Sequence, residues 1–174
     1  GYLISKIKPN CDIDIPLVGY SVTLTWQAND KDAKSITLDD QIKIISEITN
    51  PKIIFIQDLD NPSIAASYGD IMCSVYKKYG AIGLISSGYG RDINELKMMD
   101  FPTFSKGTNA SHGYGRVTSI NKNIKIDNLD IRPNQLYHAD VNGCVHIPEI
   151  DLKDLVEACE EVLRKEELII NKYK

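Results

Sequence analysis

The sequence predicts an α/β fold with a mixed, partly parallel central sheet and flanking helices. Three observations predict it. Residues 52–57 and 81–85 are short apolar runs, and each leads through a polar loop into an amphipathic helical pattern. Residues 20–26 alternate apolar with polar, the period of a strand. Beyond Pro102 the texture changes to short β-like runs separated by Asn, Asp, Gly and Pro. Repeated strand–helix units deliver parallel strands, and a β-rich remainder supplies antiparallel ones.

Taken in order, Tyr20, Val22, Leu24 and Trp26 alternate with Ser21, Thr23 and Thr25, which predicts a first strand with one wet face. Thr37 is placed to cap a helix whose Leu38, Ile42, Ile45 and Ile48 line one side, and Asn50-Pro51 stops it. Residues 52–57 read as a buried strand ending at Asp58, followed by a loop from Leu59 to Gly69 carrying Asn61-Pro62. From Asp70 the apolar residues Ile71, Met72, Val75, Tyr76 and Tyr79 recur at helical spacing until Gly80. The Asp70 carboxylate therefore sits at a positive helix end. A second buried strand, 81–85, leads through the loop 86–90 to a short helix in which Ile93, Leu96 and Met99 share a face. The β-rich part comprises 116–120, 124–126, 135–139 and 143–147. Last comes an amphipathic helix, 151–167. Leu152, Leu155, Val156, Cys159, Val162 and Leu163 form its stripe, with Glu157, Glu160, Glu161 and Arg164 opposite.

With 174 residues, 43% of them hydrophobic, the chain is sized for a single domain over 1–174. Its net charge of −4 argues against nucleic acid, which demands clustered Lys and Arg. No apolar stretch approaches the ~20 residues that span a bilayer, and the N-terminus carries no signal-peptide pattern. Cys11, Cys73, Cys144 and Cys159 have no CxxC spacing and fit reduced thiols in a cytoplasmic protein. The opening Gly1-Tyr2-Leu3 lies almost inside a strand, as expected of a processed or trimmed chain.

Asp58, Asp70, Arg91 and Asp92 all follow predicted strands, where open α/β sheets bind ligands, so they are expected to converge on one sheet edge. Three carboxylates and a guanidinium are costly to group unless a cation and an anionic ligand neutralise them. Hard carboxylate oxygens suit Mg²⁺ or Mn²⁺, and the amides of Ile71 and Met72 suit a substrate carboxylate. No Rossmann or P-loop fingerprint appears, so no nucleotide cofactor is expected. His112, His138 and His146 are irregularly spaced and read as packed or surface imidazoles. The repeated Gly88-Tyr89-Gly90-Arg91 and Gly113-Tyr114-Gly115-Arg116 read as a coincidence of two glycine loops.

The pattern Gly69-Asp70, twenty intervening residues, then Arg91-Asp92, with Gly88 just before, resembles the RraA-like / 4-hydroxy-4-methyl-2-oxoglutarate aldolase family. Leu17-Val18-Gly19, Phe104 with Gly107-Thr108, and 139–148 resemble its other blocks. The resemblance implies a swivelling β/β/α domain assembled as a homotrimer or dimer of trimers. It further implies metal-dependent cleavage of a small 2-oxo acid to pyruvate, by retro-aldol cleavage or oxaloacetate decarboxylation. By it, Asp92 holds the metal and Asp70 orients metal-bound water. Arg91 contacts the substrate carbonyl, and Gly69, Ile71 and Met72 form the carboxylate seat. The family's N-terminal helix is expected to be missing, Pro133-Asn134-Gln135 stands where Pro-Gly-Asp is frequent, and Ser87 replaces a common Asp. The ribonuclease-regulating branch implies a different function, non-catalytic binding of another protein. That branch lacks the Arg-Asp pair that this chain retains.

Overall fold

The computed structural model describes residues 1–3, 6–49 and 51–174. Its first half contains β1 (Lys8–Pro9), β2 (Leu17–Gln27), α1 (Leu38–Glu47), β3 (Lys52–Asp58), β4 (Ala66–Tyr68), α2 (Asp70–Lys78), β5 (Ala81–Ser86), β6 (Tyr89–Gly90) and α3 (Ile93–Met98). The second half continues with β7 (Thr103–Ser105), β8 (Arg116–Ile120), β9 (Ile124–Ile126), β10 (Leu129–Ile131), β11 (Leu136–Asp140), β12 (Gly143–Ile147) and α4 (Leu152–Lys172).

The main sheet has eight strands, in the order β1-β7-β5-β3-β2-β11-β12, with β8 also on β2. Pairing is parallel from β2 through β3 and β5 to β7, and antiparallel where β2 meets β11 and β8. The expected mixed, partly parallel sheet is therefore present. β3 takes one edge of β2 from Tyr20 to Trp26; β11 takes the other edge at Leu17–Tyr20, and β8 takes it at Leu24–Gln27.

Both faces of this sheet are covered. Val22, Leu24, Ile54, Ile56 and Leu84 pack with Ile45 of α1, Cys73 and Tyr76 of α2, and Leu96 of α3. The alternate residues Ile53, Phe55 and Ile85 pack with Ile124, Ile126, Ile131 and Tyr137 from the β-rich half. β3 is apolar without a break because successive side chains enter two different cores. Each such burial contributes about 1.5–3 kcal/mol.

Two-sided cover corrects the expectation of a wet face on β2. Ser21 and Thr23 are fully buried. Their hydroxyls donate to the carbonyls of Arg132 and Lys122 at 2.6 Å each, so the polar half of the alternation ties down the returning loops. The 59–69 and 86–90 segments, expected as loops, contain β4 and β6, which pair in parallel as a separate two-stranded sheet.

Thr37 does cap α1, its hydroxyl accepting from the Asp40 amide at 3.2 Å. The buried face differs from the expected one: Gln41 is buried and Ile42 is not. The Gln41 carbonyl accepts the buried Tyr76 hydroxyl at 2.5 Å. A polar residue enters the stripe because a phenol needs an acceptor there. Asn50 of the expected stop lies outside the described residues. The last helix extends to Lys172, beyond the expected 167, and none of its residues is buried.

Gln41→Leu is expected to destabilise the chain by about 1–3 kcal/mol, since it strands the Tyr76 hydroxyl in the core. Gln41→Leu with Tyr76→Phe should recover most of that loss, as read from urea denaturation midpoints.

Candidate active site

The site is built where β4 and β6 run side by side beyond β3 and β5. Tyr68 pairs with Gly90, and the Arg91 amide donates to the Tyr68 carbonyl at 3.2 Å. On its other side Gly90 bridges to Thr108, and the Asn109 amide donates to the Gly90 carbonyl at 2.9 Å. Arg91-Asp92 thus leaves a short strand clamped from two directions.

Asp92 then adopts a left-handed backbone, φ 57° and ψ 40°, as the cap residue of α3. For a residue other than glycine this costs about 1–2 kcal/mol. The turn brings its Oδ2 to 3.3 Å from Arg91 Nε and 3.2 Å from the Asp70 amide. Both side chains of the ion pair are about one-third exposed, so its contribution to stability is small and its effect is positional.

Gly69, not Asp70, caps α2. A Cβ at Gly69 would lie 2.5 Å from Asp92 Oδ2 and 2.9 Å from Arg91 Nε, so the absence of a side chain lets the pair approach the helix end. Asp70 is the first helical residue, and its Oδ1 accepts from the Ile71 amide at 2.7 Å. One amide of the expected carboxylate seat is therefore engaged by Asp70 itself.

Gly69, Ile71, Met72 and Arg91 line one cavity of about 390 Å³. Asp92 lines a neighbouring cavity of about 440 Å³ with Glu95 and Thr108, and Arg91 stands between the two. His112 and Arg116 also line the first cavity. The recurrence of Gly-Tyr-Gly-Arg is thus spatially meaningful, since both arginines reach one pocket. Arg116 is steadied there by the carbonyls of Lys31 and Ala33, at 2.6 and 2.9 Å from Nη1. His112 and Glu95 carried no distinguishing signal in the sequence.

Asp58 does not join the group. It lies beneath Gly88, whose Cβ position would be 2.6 Å from Asp58 Oδ2, and it accepts from the Asp60 amide at 3.0 Å. Among the described residues the buried Oδ2 has no hydrogen-bond partner. Burial pushes its carboxyl above the usual carboxylate range, opposed by the Asp60 amide, the nearby Ser63 and Lys106.

Among the described residues no three of His, Cys, Asp and Glu are grouped to hold a metal ion. Asp92 and Asp70, joined through the Asp70 amide, nevertheless match an ion such as Mg²⁺. Such an ion takes one or two protein carboxylates and fills its remaining positions with water and substrate oxygens. A zinc-type cage is unsupported by this donor set.

Residues 1–146 match the family described as RraA-like, Aldolase/RraA. The chain is 30% identical over 149 residues to a Halalkalibacterium halodurans protein named "Putative 4-hydroxy-4-methyl-2-oxoglutarate aldolase", covering 84% of this chain and 66% of that protein. It is 24% identical over 171 residues to Protein DlpA of Legionella pneumophila, covering 97% of this chain and 27% of that protein. The chain therefore spans less than two thirds of either relative. A Streptomyces coelicolor structure, described as an unusual member of the RNase ES inhibitor RraA protein family, superposes with a TM-score of 0.79 at 18% identity. That superposition covers 96% of this chain and 81% of that one, and it shows the shared fold. No helix among the described residues is long and apolar enough to cross a membrane.

Because the folded Asp58 carboxyl binds its proton more readily than the unfolded one, its contribution to stability is full below the ordinary carboxylate pKa. It is lost as pH rises through the folded value. Asp58→Asn keeps an acceptor without the charge. It should be more stable than wild type at pH 7 and lose that advantage below about pH 4, as read from urea midpoints at both values.

Proposed function

The chain belongs to the RraA-like family, which includes 4-hydroxy-4-methyl-2-oxoglutarate aldolases and RraA regulators. From that premise we propose that it is a divalent-metal-dependent carbon–carbon lyase releasing pyruvate from a small 2-oxo acid. The supporting observation is the Arg91–Asp92 pair, held at 3.3 Å beside the end of α2 and next to a cavity of about 390 Å³. The substrate is a 4-hydroxy-4-methyl-2-oxoglutarate-type compound, oxaloacetate, or both. The reading is of a cytoplasmic enzyme, working as a homotrimer or dimer of trimers, and its free cysteines suit a reducing compartment.

Asp92 would hold Mg²⁺ or Mn²⁺ with Asp70 close by, and the ion would supply an electron sink for C3–C4 cleavage. Arg91 donates to the 2-oxo oxygen, where negative charge develops as the bond breaks; one well-placed donor is worth about 3 kcal/mol. The Ile71 and Met72 amides at the positive end of α2 receive the adjacent carboxylate. Seating it on the Ile71 amide requires Asp70 to release that amide. Asp70 then holds the water that takes the C4 hydroxyl proton in the aldol case. The C3–C4 electron pair becomes the C2=C3 bond of an enolate as the carbonyl π pair moves to the 2-oxo oxygen, C4 leaves as the carbonyl product or as CO2, and a proton from water at C3 completes pyruvate. Arg116 adds a second positive charge to the cavity, matching the distal carboxylate of a dicarboxylic substrate.

A non-catalytic regulator that binds a ribonuclease is the second reading, and the intact Arg91–Asp92 pair favours the lyase. With Mg²⁺ present, pyruvate release from oxaloacetate and from 4-hydroxy-4-methyl-2-oxoglutarate should fall about 100- to 1,000-fold in Arg91→Ala, toward the rate of the metal alone. Equal, background-level rates in wild type and variant, together with ribonuclease capture, would replace the lyase with the regulator. Gly69→Ala should lower turnover at a cost of only about 1 kcal/mol in stability, because alanine is the poorer helix cap and the added Cβ meets side-chain atoms of Arg91 and Asp92 rather than backbone. Unchanged turnover would show that the close approach at Gly69 is unimportant.

A further inference from the structure

Arg116 opens β8 and lines the cavity of about 390 Å³ that Arg91 and the start of α2 also line. Its Nη1 donates to the carbonyls of Lys31 and Ala33, and its Nε donates to the carbonyl of Tyr114 at 3.2 Å. The segments that supply these carbonyls are clasped to each other, with Lys31 Nζ 4.5 Å from the centre of the Tyr114 ring. A Cβ at Gly115 would collide with the Trp26 ring, so the chain lies directly on that ring as it brings Arg116 to the cavity. The guanidinium is thus fixed in place, and Nη2 is its one nitrogen without a partner among the described residues.

Three carbonyls hold the group without discharging it. The ion pairs among the described residues join Lys43, Arg91, Lys125 and Lys165 to carboxylates, and none reaches Arg116. In a chain with 24 acidic side chains and a net charge of −4, a half-buried, immobilised cation left unbalanced calls for an anion from outside. Arg91 differs, because Asp92 already balances it.

We propose that Arg116 receives the second carboxylate of the ligand and, on the lyase reading from which this follows, favours substrates that keep this carboxylate in the product. The reason is where the charge goes. In retro-aldol cleavage of 4-hydroxy-4-methyl-2-oxoglutarate the C4 hydroxyl loses its proton, the C3–C4 bond breaks and C4 becomes the carbonyl carbon of one pyruvate. The C3 fragment takes up a proton as the other pyruvate, and the carboxylate on C4 keeps its charge throughout. A cation against that carboxylate therefore binds reactant and transition state alike and raises kcat/KM. In oxaloacetate the second carboxylate is itself the leaving group. The C3–C4 pair stays with C3, CO2 departs neutral, and a proton from water completes pyruvate. A cation there stabilises the reactant and loses its partner as the bond breaks, so it adds nothing to kcat/KM. Arg116 thereby selects retro-aldol cleavage over decarboxylation.

The test compares both substrates on one preparation with Mg²⁺, after subtracting the rate of the metal alone. The ratio of kcat/KM for 4-hydroxy-4-methyl-2-oxoglutarate to kcat/KM for oxaloacetate should fall about 10- to 100-fold in Arg116→Gln, through a raised KM for the aldol substrate. Any unfolded fraction cancels in this ratio, and a ratio unmoved by the substitution would overturn the selection of retro-aldol cleavage. Binding separates that outcome from failure of the lyase reading. 2-Oxoglutarate keeps the second carboxylate in place without the 4-hydroxyl, so it cannot undergo retro-aldol cleavage, and 2-oxopentanoate lacks that carboxylate. By titration calorimetry with Mg²⁺, wild type should bind 2-oxoglutarate about 10- to 100-fold more tightly than 2-oxopentanoate, and Arg116→Gln should erase the preference. A wild type that turns over neither substrate but shows this preference would discard the lyase and keep Arg116 as the carboxylate receptor. Absence of the preference in wild type, or its survival in Arg116→Gln, would overturn the role of Arg116 whatever the turnover.

Discussion

β2 is paired along both edges, by β3 from Tyr20 to Trp26 on one and by β11 and then β8 at the two ends of the other. The parallel strand–helix half of the chain and the β-rich half are hydrogen-bonded to the same strand, and everything else is arranged around that fact. Helices lie over one face and the returning β segments over the other, so the central residues of β2, β3 and β5 are buried on both sides. Polar atoms on these strands must then find partners inside the protein. Ser21 and Thr23 find theirs in the carbonyls of the loops that cross them.

The same arrangement leaves the ends of β3 and β5 as the place where chemistry is assembled. The short β4–β6 pair extends beyond them and carries Tyr68, Gly69, Arg91 and Asp92 into register. What fixes the site is backbone geometry more than ion pairing, because the Arg91–Asp92 bridge is partly solvated and weak as a source of stability. A left-handed Asp92 and a side-chain-free Gly69 together set the distance between guanidinium, carboxylate and helix end. Local strain is tolerated because strand pairing on both sides of Gly90 holds it in place.

α4 obeys a different balance. Two cores close over the sheet, whereas no residue of α4 is buried and its apolar stripe is broken by Glu166. The site is set by the sheet edge, and α4 lies outside both cores.

The sequence by itself determined the elements whose signal is local. The unbroken apolar run of β3, the Thr37 cap, the spacing from Asp70 to Arg91-Asp92 and the amphipathic last helix depend on neighbours a few residues away. The family resemblance rests on that same spacing. Tertiary structure decided what depends on distant partners. Whether the Ser21 and Thr23 face of β2 is wet follows from the loops that fold over it, and whether Gln41 or Ile42 is buried follows from where Tyr76 sits. Asp58 resembled Asp70 and Asp92 in following an apolar strand, yet it turns under Gly88, because side-chain direction at a strand end is set by what crosses above it. Arg91 and Arg116 stand twenty-five positions apart in similar loops, and their meeting at one cavity needed two strand pairings that no short-range pattern encodes.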